Sequence, residues 1–310
     1  MGSNHFSGDI SSCMEPTMDT TQTGIVADLP TFSRYLTFSL QSSDELLQCL
    51  TELSNMVDGE NLVIGLGLSL VLELNSDIDG LRQFPAMTTK GIDSPSTPTA
   101  LWCWIRGSDR GEMFHQSRLL ELLLTPTFEL IDCIDSFKFD QNRDLSGYED
   151  GTENPQGDEA INTAIVQNQG SGLDGSSFVA VQKWLHDFDT FDAMTTETQD
   201  DVIGRHVGDN EEFEEAPESA HVKRSAQENF DPEAFMLRRS MPWAEGLSGG
   251  LNFVAFGQTF DAFEAVLNRM SGKEDGIPDA LFTFTRPLTG SYFWCPPMKD
   301  GALDLSSINL

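Results

Sequence analysis

The sequence predicts an α+β chain of two ferredoxin-like halves, each a split βαβ arrangement on an antiparallel sheet. Three observations lead there. Short apolar and aromatic segments alternate with helix-period segments in the order β-α-β-β-α-β across the first half. A similar succession with more insertion returns in the second half, although no sequence repeat is detectable. The length of 310 residues, with 39% hydrophobic content and 21 Phe, is enough for two cores of ordinary domain size.

In chain order, Tyr35–Leu40 reads as a strand, and Ser43 is a helix N-cap candidate for a helix ending near Met56. Leu62–Leu74 is the most apolar run. Glycines and Ser69 interrupt it and it is too short to span a bilayer, so it reads as a buried second strand. A Pro/Thr/Ser-rich connection over 91–99 leads to a strand at Ala100–Ile105, a helix at Gly111–Leu124 and a strand at Phe128–Phe137. In the second half, Phe178–Leu185 is strand-like, Asp192–Ile203 is helical, and a polar excursion runs to about Phe230. Met236–Ser240, Leu251–Phe256 and Leu281–Thr285 then read as strands, with a helix at Asp261–Met270 and Tyr292–Cys295 prolonging the last strand. This divides the chain into a flexible arm over 1–21, an N-terminal domain over 22–145, a C-terminal domain over 146–303 and a tail over 304–310.

The formal net charge of −32 repels phosphate backbones and argues against nucleic-acid binding. Such a surface suits a saline habitat or cationic substrates and does not decide between them. The acidic run Asp209-Asn210-Glu211-Glu212-Phe213-Glu214-Glu215 reads as a solvated loop. No segment reaches membrane-span length, and residues 1–33 lack the basic start and apolar stretch of a secretory signal. The five cysteines are scattered, with no C-x-x-C spacing, so neither a disulfide framework nor a zinc site is indicated and a cytoplasmic location is expected.

Two features carry chemistry. Gly147-Tyr148-Glu149-Asp150-Gly151-Thr152-Glu153-Asn154-Pro155 surrounds one aspartate with turn formers, which makes a rigid loop presenting a carboxylate; Asp-Gly and Asn-Pro are also ordinary loop punctuation. Of the histidines, His5 lies in the arm, while His115, His186 and His206 fall where a structural or surface role is the default. His221 stands apart, between the acidic excursion and the segment carrying Arg238. No partner stands at chelating spacing for a bare metal site, whereas haem needs only one axial protein ligand.

The loop from Gly147 to Pro155, Ile203-Gly204-Arg205, Ser219-Ala220-His221-Val222-Lys223-Arg224 and Leu237-Arg238-Arg239-Ser240-Met241-Pro242 occur together in a way that resembles dye-decolorizing peroxidases in order and approximate spacing. The pattern is most similar to the compact bacterial branch that includes the YfeX-type haem peroxidases. The similarity extends from about Thr23 to Leu303 and is strongest from Leu145 onward.

The resemblance implies one haem b per chain, held mainly in the C-terminal half, with His221 as the axial iron ligand. Asp279 would support that imidazole, with Asp275 as the nearby alternative. The distal aspartate and arginine would be Asp150 and Arg238, with Arg239 the neighbouring register, and Ser240 would stand beside them. Arg205 would contact a haem propionate, Gly151, Thr152 and Glu153 would face the haem, and Leu251 with Phe253 would form the apolar wall. The implied activity is reduction of hydrogen peroxide to water through a ferryl intermediate, with one-electron oxidation of phenolic or dye-like aromatic reductants.

The residue types suit that chemistry. Asp150 can carry a proton between the peroxide oxygens, and Arg238 supplies fixed positive charge as the bond breaks. With an unperturbed aspartate pKa of about 4, activity is expected to persist into acidic solution. Trp243 is the first candidate for a radical relay to the surface. A homo-oligomer, dimer or larger, is expected from the resemblance. The tail Asp300–Leu310 has no clear match to the cargo peptide that sends some relatives into encapsulin shells, so encapsulin association is unproven. The alternative within haem biology is a haem-handling protein with incidental peroxidase turnover; outside it, an acidic interaction domain without cofactor.

Overall fold

A computed structural model describes residues 20–125 and 127–310. The expected arm, with His5 and Cys13, therefore lies outside the described residues up to residue 19. The strands are β1 (Phe32–Leu40), β2 (Leu62–Leu66), β3 (Met87–Thr89), β4 (Ile92–Ser94), β5 (Leu101–Gly107), β6 (Phe128–Phe137), β7 (Ser177–His186), β8 (Leu237–Arg238), β9 (Met241–Glu245), β10 (Ser248–Gly257), β11 (Thr285–Pro287), β12 (Ser291–Cys295), β13 (Met298–Lys299) and β14 (Ala302–Leu303). The α-helices are α1 (Leu46–Met56), α2 (Leu68–Glu73), α3 (Arg110–Leu124), α4 (Asp158–Ala164), α5 (Phe188–Asp192), α6 (Thr196–Ile203), α7 (His221–Ser225) and α8 (Asp261–Met270).

The first half orders its strands β2-β5-β1-β6 and the second orders them β9-β10-β7-β12. Both are antiparallel throughout and have the strand order of the split βαβ arrangement. The two sheets meet edge to edge through Trp294 opposite Leu66 and Ser136 opposite Trp243.

Strand β5 is buried on both faces, which explains why its sequence does not alternate. Leu101, Cys103 and Ile105 pack with buried residues of α1 and α3, whereas Trp102 and Trp104 turn the other way, toward Val179, Val254, Phe256 and Phe293 of the second half. The interior between the halves is thus a shared aromatic core, with Tyr35, Trp102 and Trp104 stacked or tilted at centroid separations of 6.0–6.3 Å.

Four elements differ from the sequence reading. The apolar run Leu62–Leu74 is not one strand: β2 stops at Leu66 and α2 begins at Leu68. At Gly67 the backbone presses against the next segment so closely that a Cβ would lie 1.9 Å from the Thr99 carbonyl oxygen. The helix expected over Asp192–Ile203 is two, because Thr195 caps α6 afresh by accepting from Thr198 N at 3.2 Å. Leu281–Thr285 is a 3-10 turn over Ala280–Thr283, capped by Asp279, followed by the short β11. The last strand of the second half's main sheet is therefore β12, not an extension of that segment. The polar excursion before Phe230 also contains α7. Beyond residue 303 the chain stays packed, with Leu305 and Ile308 buried in the core that includes α1.

Gly67→Ala is expected to destabilise the fold by about 2 kcal/mol or more, because the obstructing atom is backbone and cannot rotate aside. The urea midpoint should fall accordingly; an unchanged midpoint would show that the contact is slack.

Candidate active site

The loop that follows β6 folds back on itself. Asp144 N donates to Tyr148 O at 2.8 Å and Asp150 N donates to Asn142 O at 2.9 Å. Gly151 has φ +84°, a left-handed conformation that glycine adopts without steric cost. Arg143 braces the loop from behind, donating to the Gly147 and Val207 carbonyls and pairing with Glu149 at 3.2 Å. Asn154 ties the loop to β8: its Nδ2 donates to Arg238 O at 2.8 Å, and its Oδ1 accepts from Arg238 N at 2.9 Å.

This brings Asp150 to face Arg238, with Nη1 3.8 Å from Oδ1. Burial pushes the Asp150 carboxyl above the usual aspartate range. The Arg238 charge opposes that shift, and the nearby Asp144 carboxylate adds to it.

His221 opens α7. Its Nδ1 lies 2.7 Å from Oδ2 of Asp279, whose side chain is fully buried and whose Oδ1 accepts from Leu281 N at 2.8 Å. An ionised carboxylate can only accept, so Nδ1 carries the hydrogen and the Nε2 lone pair is left available. Asp275, the alternative partner, is instead engaged by Arg224 at 2.7 and 2.8 Å. Arg239, the neighbouring register for Arg238, is buried and donates to the Ile25 and Val26 carbonyls. Burial lowers its pKa to about 10.

Asp150, His221 and Arg238 line one two-lobed cavity. The inner lobe, about 100 Å³, has walls of Leu251 and Phe253 from β10 and of Phe263, Val266, Leu267 and Met270 from α8. The outer lobe, about 550 Å³, is polar and includes Thr152, Glu153, Arg205 and Lys223. Arg205 follows Gly204 at the end of α6 and pairs with Glu153 at 3.3 Å and Glu212 at 3.1 Å. Thr152 Oγ1 accepts from Asn210 Nδ2 at 2.9 Å. The acidic run is therefore more than a solvated loop, since Asn210 and Glu212 brace the cavity mouth. A third cavity of about 370 Å³ adjoins Asp150 and Arg238 and contains Ser240. Ser240 is buried there, its Oγ accepting from Val254 N at 3.2 Å.

The sequence reading thus named Asp150, His221, Arg238 and part of the lining, but missed the α8 wall and the role of Asn154 behind the loop. The helix period of α8 was legible; its proximity to β10 was not. His186 is satisfied by Thr285 and Asp144, and His206 by Asp200. Trp243 does not suit a surface relay: it is buried, with Nε1 donating to Trp184 O at 2.9 Å. None of the three tyrosines and five tryptophans is more than 7% exposed, so none presents a ring at the surface. Among the described residues, no helix is long and apolar enough to cross a membrane.

A family model described as "Dyp-type peroxidase, C-terminal" matches residues 141–300. The dye-decolorizing peroxidase of Rhodococcus erythropolis is 30% identical over 246 residues, spanning 74% of this chain and 72% of that relative. Among solved structures, a putative Dyp-type peroxidase from Shewanella oneidensis superposes with a TM-score of 0.82 at 27% identity, covering 95% of this chain and 98% of its own. A variant of DypB from Rhodococcus jostii RHA1, in complex with heme, gives a TM-score of 0.82 at 26% identity, covering 88% of this chain and 94% of its own. None of these names the YfeX-type branch. On this fold, this cavity and these matches, the chain belongs to the dye-decolorizing haem peroxidases, enzymes that use hydrogen peroxide to oxidise organic reductants.

Proposed function

We propose that this chain binds haem b in the two-lobed cavity, with His221 as the iron ligand and Asp150 and Arg238 as the groups that act on peroxide. The carrying observation is that an Asp279-anchored imidazole and an aspartate–arginine pair share one cavity. The lining fits the group: an apolar inner lobe suits a macrocycle, and Arg205 and Lys223 at the polar mouth suit its carboxylates. When bound, haem supplies the iron at which peroxide is reduced and through which the organic reductant gives up its electrons singly.

The chain's own residues divide the remaining work. Asp279 holds the Nδ1 hydrogen, which fixes the ring orientation and makes Nε2 a stronger donor. Asp150, ionised, takes a proton from one peroxide oxygen and returns it to the other. Arg238 stabilises the negative charge that develops as the O–O bond breaks. Leu251 and Phe253 keep water from the inner lobe. Ser240, from the adjoining cavity, limits the space around the pair. Gly151, Thr152 and Glu153 form the face of the loop toward the bound group. We further propose that the domain boundary lies near residue 145. Self-association rests on the resemblance alone and cytoplasmic location on the cysteine pattern, while encapsulin association has no clear match in the tail behind it.

Stopped-flow mixing of haem-loaded protein with one equivalent of hydrogen peroxide tests the assignment. Asp150→Ala and Arg238→Leu should each slow the first spectral change by about 10²- to 10³-fold without loss of haem. Equal rates in all three proteins would return the pocket to a haem-handling role.

The same step should depend on pH through Asp150. The base acts ionised, so its rate falls as pH drops through its pKa. Because burial raises that pKa, the acid limb should lie above the ordinary aspartate value of about 3.9, higher than the sequence alone implies. Arg238→Leu removes the main opposing charge and should move the limb higher still. A limb unmoved by that change would count against Asp150 as the base.

Asp279→Ala should weaken haem binding by about 10- to 100-fold, measured by titration of the apoprotein. Unaltered affinity would mean that the imidazole needs no anchor.

A further inference from the structure

The side chain of Asn154 is bonded in an unusual way. Strand β8 is the last strand in its sheet order and is only two residues long, with β10 as its ladder partner. The N–H and C=O of Arg238 both go to Asn154, at 2.9 and 2.8 Å. Only a primary amide side chain offers a donor and an acceptor at that spacing, so Asn154 acts as a one-residue strand beside β8. Its backbone is equally constrained: Asn154 N donates to Gly151 O at 3.0 Å, closing a turn that begins directly after Asp150.

We propose that Asn154 is the positioning residue of the peroxide step, a clamp that sets the Asp150 carboxylate against the Arg238 guanidinium. The proposal rests on the reading of Asp150 and Arg238 given above. Among the described residues, the only side-chain hydrogen bonds from the loop to β8 are those of Asn154; α4, which follows the loop, adds apolar packing of Ala160 and Ala164 in the cluster that holds Leu237. The two charged side chains are 3.8 Å apart and share no hydrogen bond, so their attraction fixes no mutual orientation. Arg143, Glu149 and Asn210 brace the loop on its far side but make no bond to β8. Without the amide, Arg238 would keep its ladder with β10, and Asp150 would keep its bond to Asn142 O, yet the two segments would be joined only by the non-directional packing of α4 on β8, which does not fix their register. A displacement of about 1 Å in a reacting group can cost about 10²-fold in rate.

The test combines amide exchange with a double-substitution cycle on full-length protein. Asn154→Ala should leave haem affinity near wild type, accelerate hydrogen exchange at the Arg238 amide, and slow the peroxide step by about 10- to 100-fold. The later reduction by an organic donor should be unaffected. In an Asp150→Ala background the same change should cost nothing further, because there is no carboxylate left to place. Asn154→Asp keeps the acceptor for Arg238 N–H and loses the donor to Arg238 O; it should fall between the two, and serves if the alanine variant does not fold.

If Asn154→Ala slows the step equally in both backgrounds, the residue is a general stabiliser and the proposal is overturned. If Asp150→Ala slows the step but neither Asn154 variant does, the clamp is overturned while the assignment of Asp150 stands. If Asp150→Ala itself has no effect, the assignment falls and the clamp falls with it.

Discussion

A carboxylate withdrawn from water must be bonded or must pick up a proton, and the two aspartates of this cavity meet that constraint in opposite ways. Asp279 is fully buried and saturated, with one oxygen on the imidazole of His221 and the other on the Leu281 amide. It has no freedom and serves as an anchor. Asp150 is half-buried, and its nearest cation stands 3.8 Å away without a hydrogen bond. Its carboxyl is therefore pushed upward, toward the range in which a proton can be gained and lost during turnover. On the proposed haem site, a division into fixed ligand side and working distal side follows from how each carboxylate is satisfied.

The rest of the fold serves to hold those two environments apart. The first half contributes none of the residues that line the inner lobe; its part is the aromatic face of Tyr35, Trp102 and Trp104 against which β7, β10 and β12 pack. Strand β10 links the layers: Val254 and Phe256 point into that shared core while Leu251 and Phe253 point into the cavity, the two-residue period of a strand placing one set on each face. The dense packing behind β10 keeps the cavity wall from yielding when the front is filled.

The sequence was legible where several motifs recur in order. Asp150 among its turn formers and His221 apart from the other histidines each also suited an ordinary loop or structural role, and it was the resemblance of the ordered motifs to dye-decolorizing peroxidases that singled them out. It was illegible where the answer depends on which way a side chain faces. Arg238 and Arg239 are adjacent in a strand-like segment and so point to opposite sides; one reaches the cavity and the other the carbonyls of Ile25 and Val26. Asp275 and Asp279 differed only in which cation or imidazole folding brought near. Asn154 looked like punctuation, because its partner is the backbone of a residue 84 positions away. Leu62–Leu74 read as one strand because a close approach at Gly67 to Thr99 is a tertiary fact.

The charge of the chain sharpens the case for Arg238. With 50 acidic residues against 18 lysines and arginines, carboxylates are plentiful, and the buried or half-buried arginines have found partners. Arg34 is held by Asp135, Arg224 by Asp275, Arg205 by Glu153 and Glu212, and Arg106 and Arg239 by main-chain carbonyls. Arg238 is the exception among these. Only 18% of its side chain is exposed, and its guanidinium makes no hydrogen bond among the described residues. Leaving donors unmet in the interior costs stability, typically about 1–3 kcal/mol for a single group. In a protein so rich in acceptors, that cost is readily avoided by one more glutamate. On the proposed assignment, a guanidinium with no hydrogen bond among the described residues, beside a protonatable carboxylate, suits an oxygen ligand that arrives, reacts and leaves.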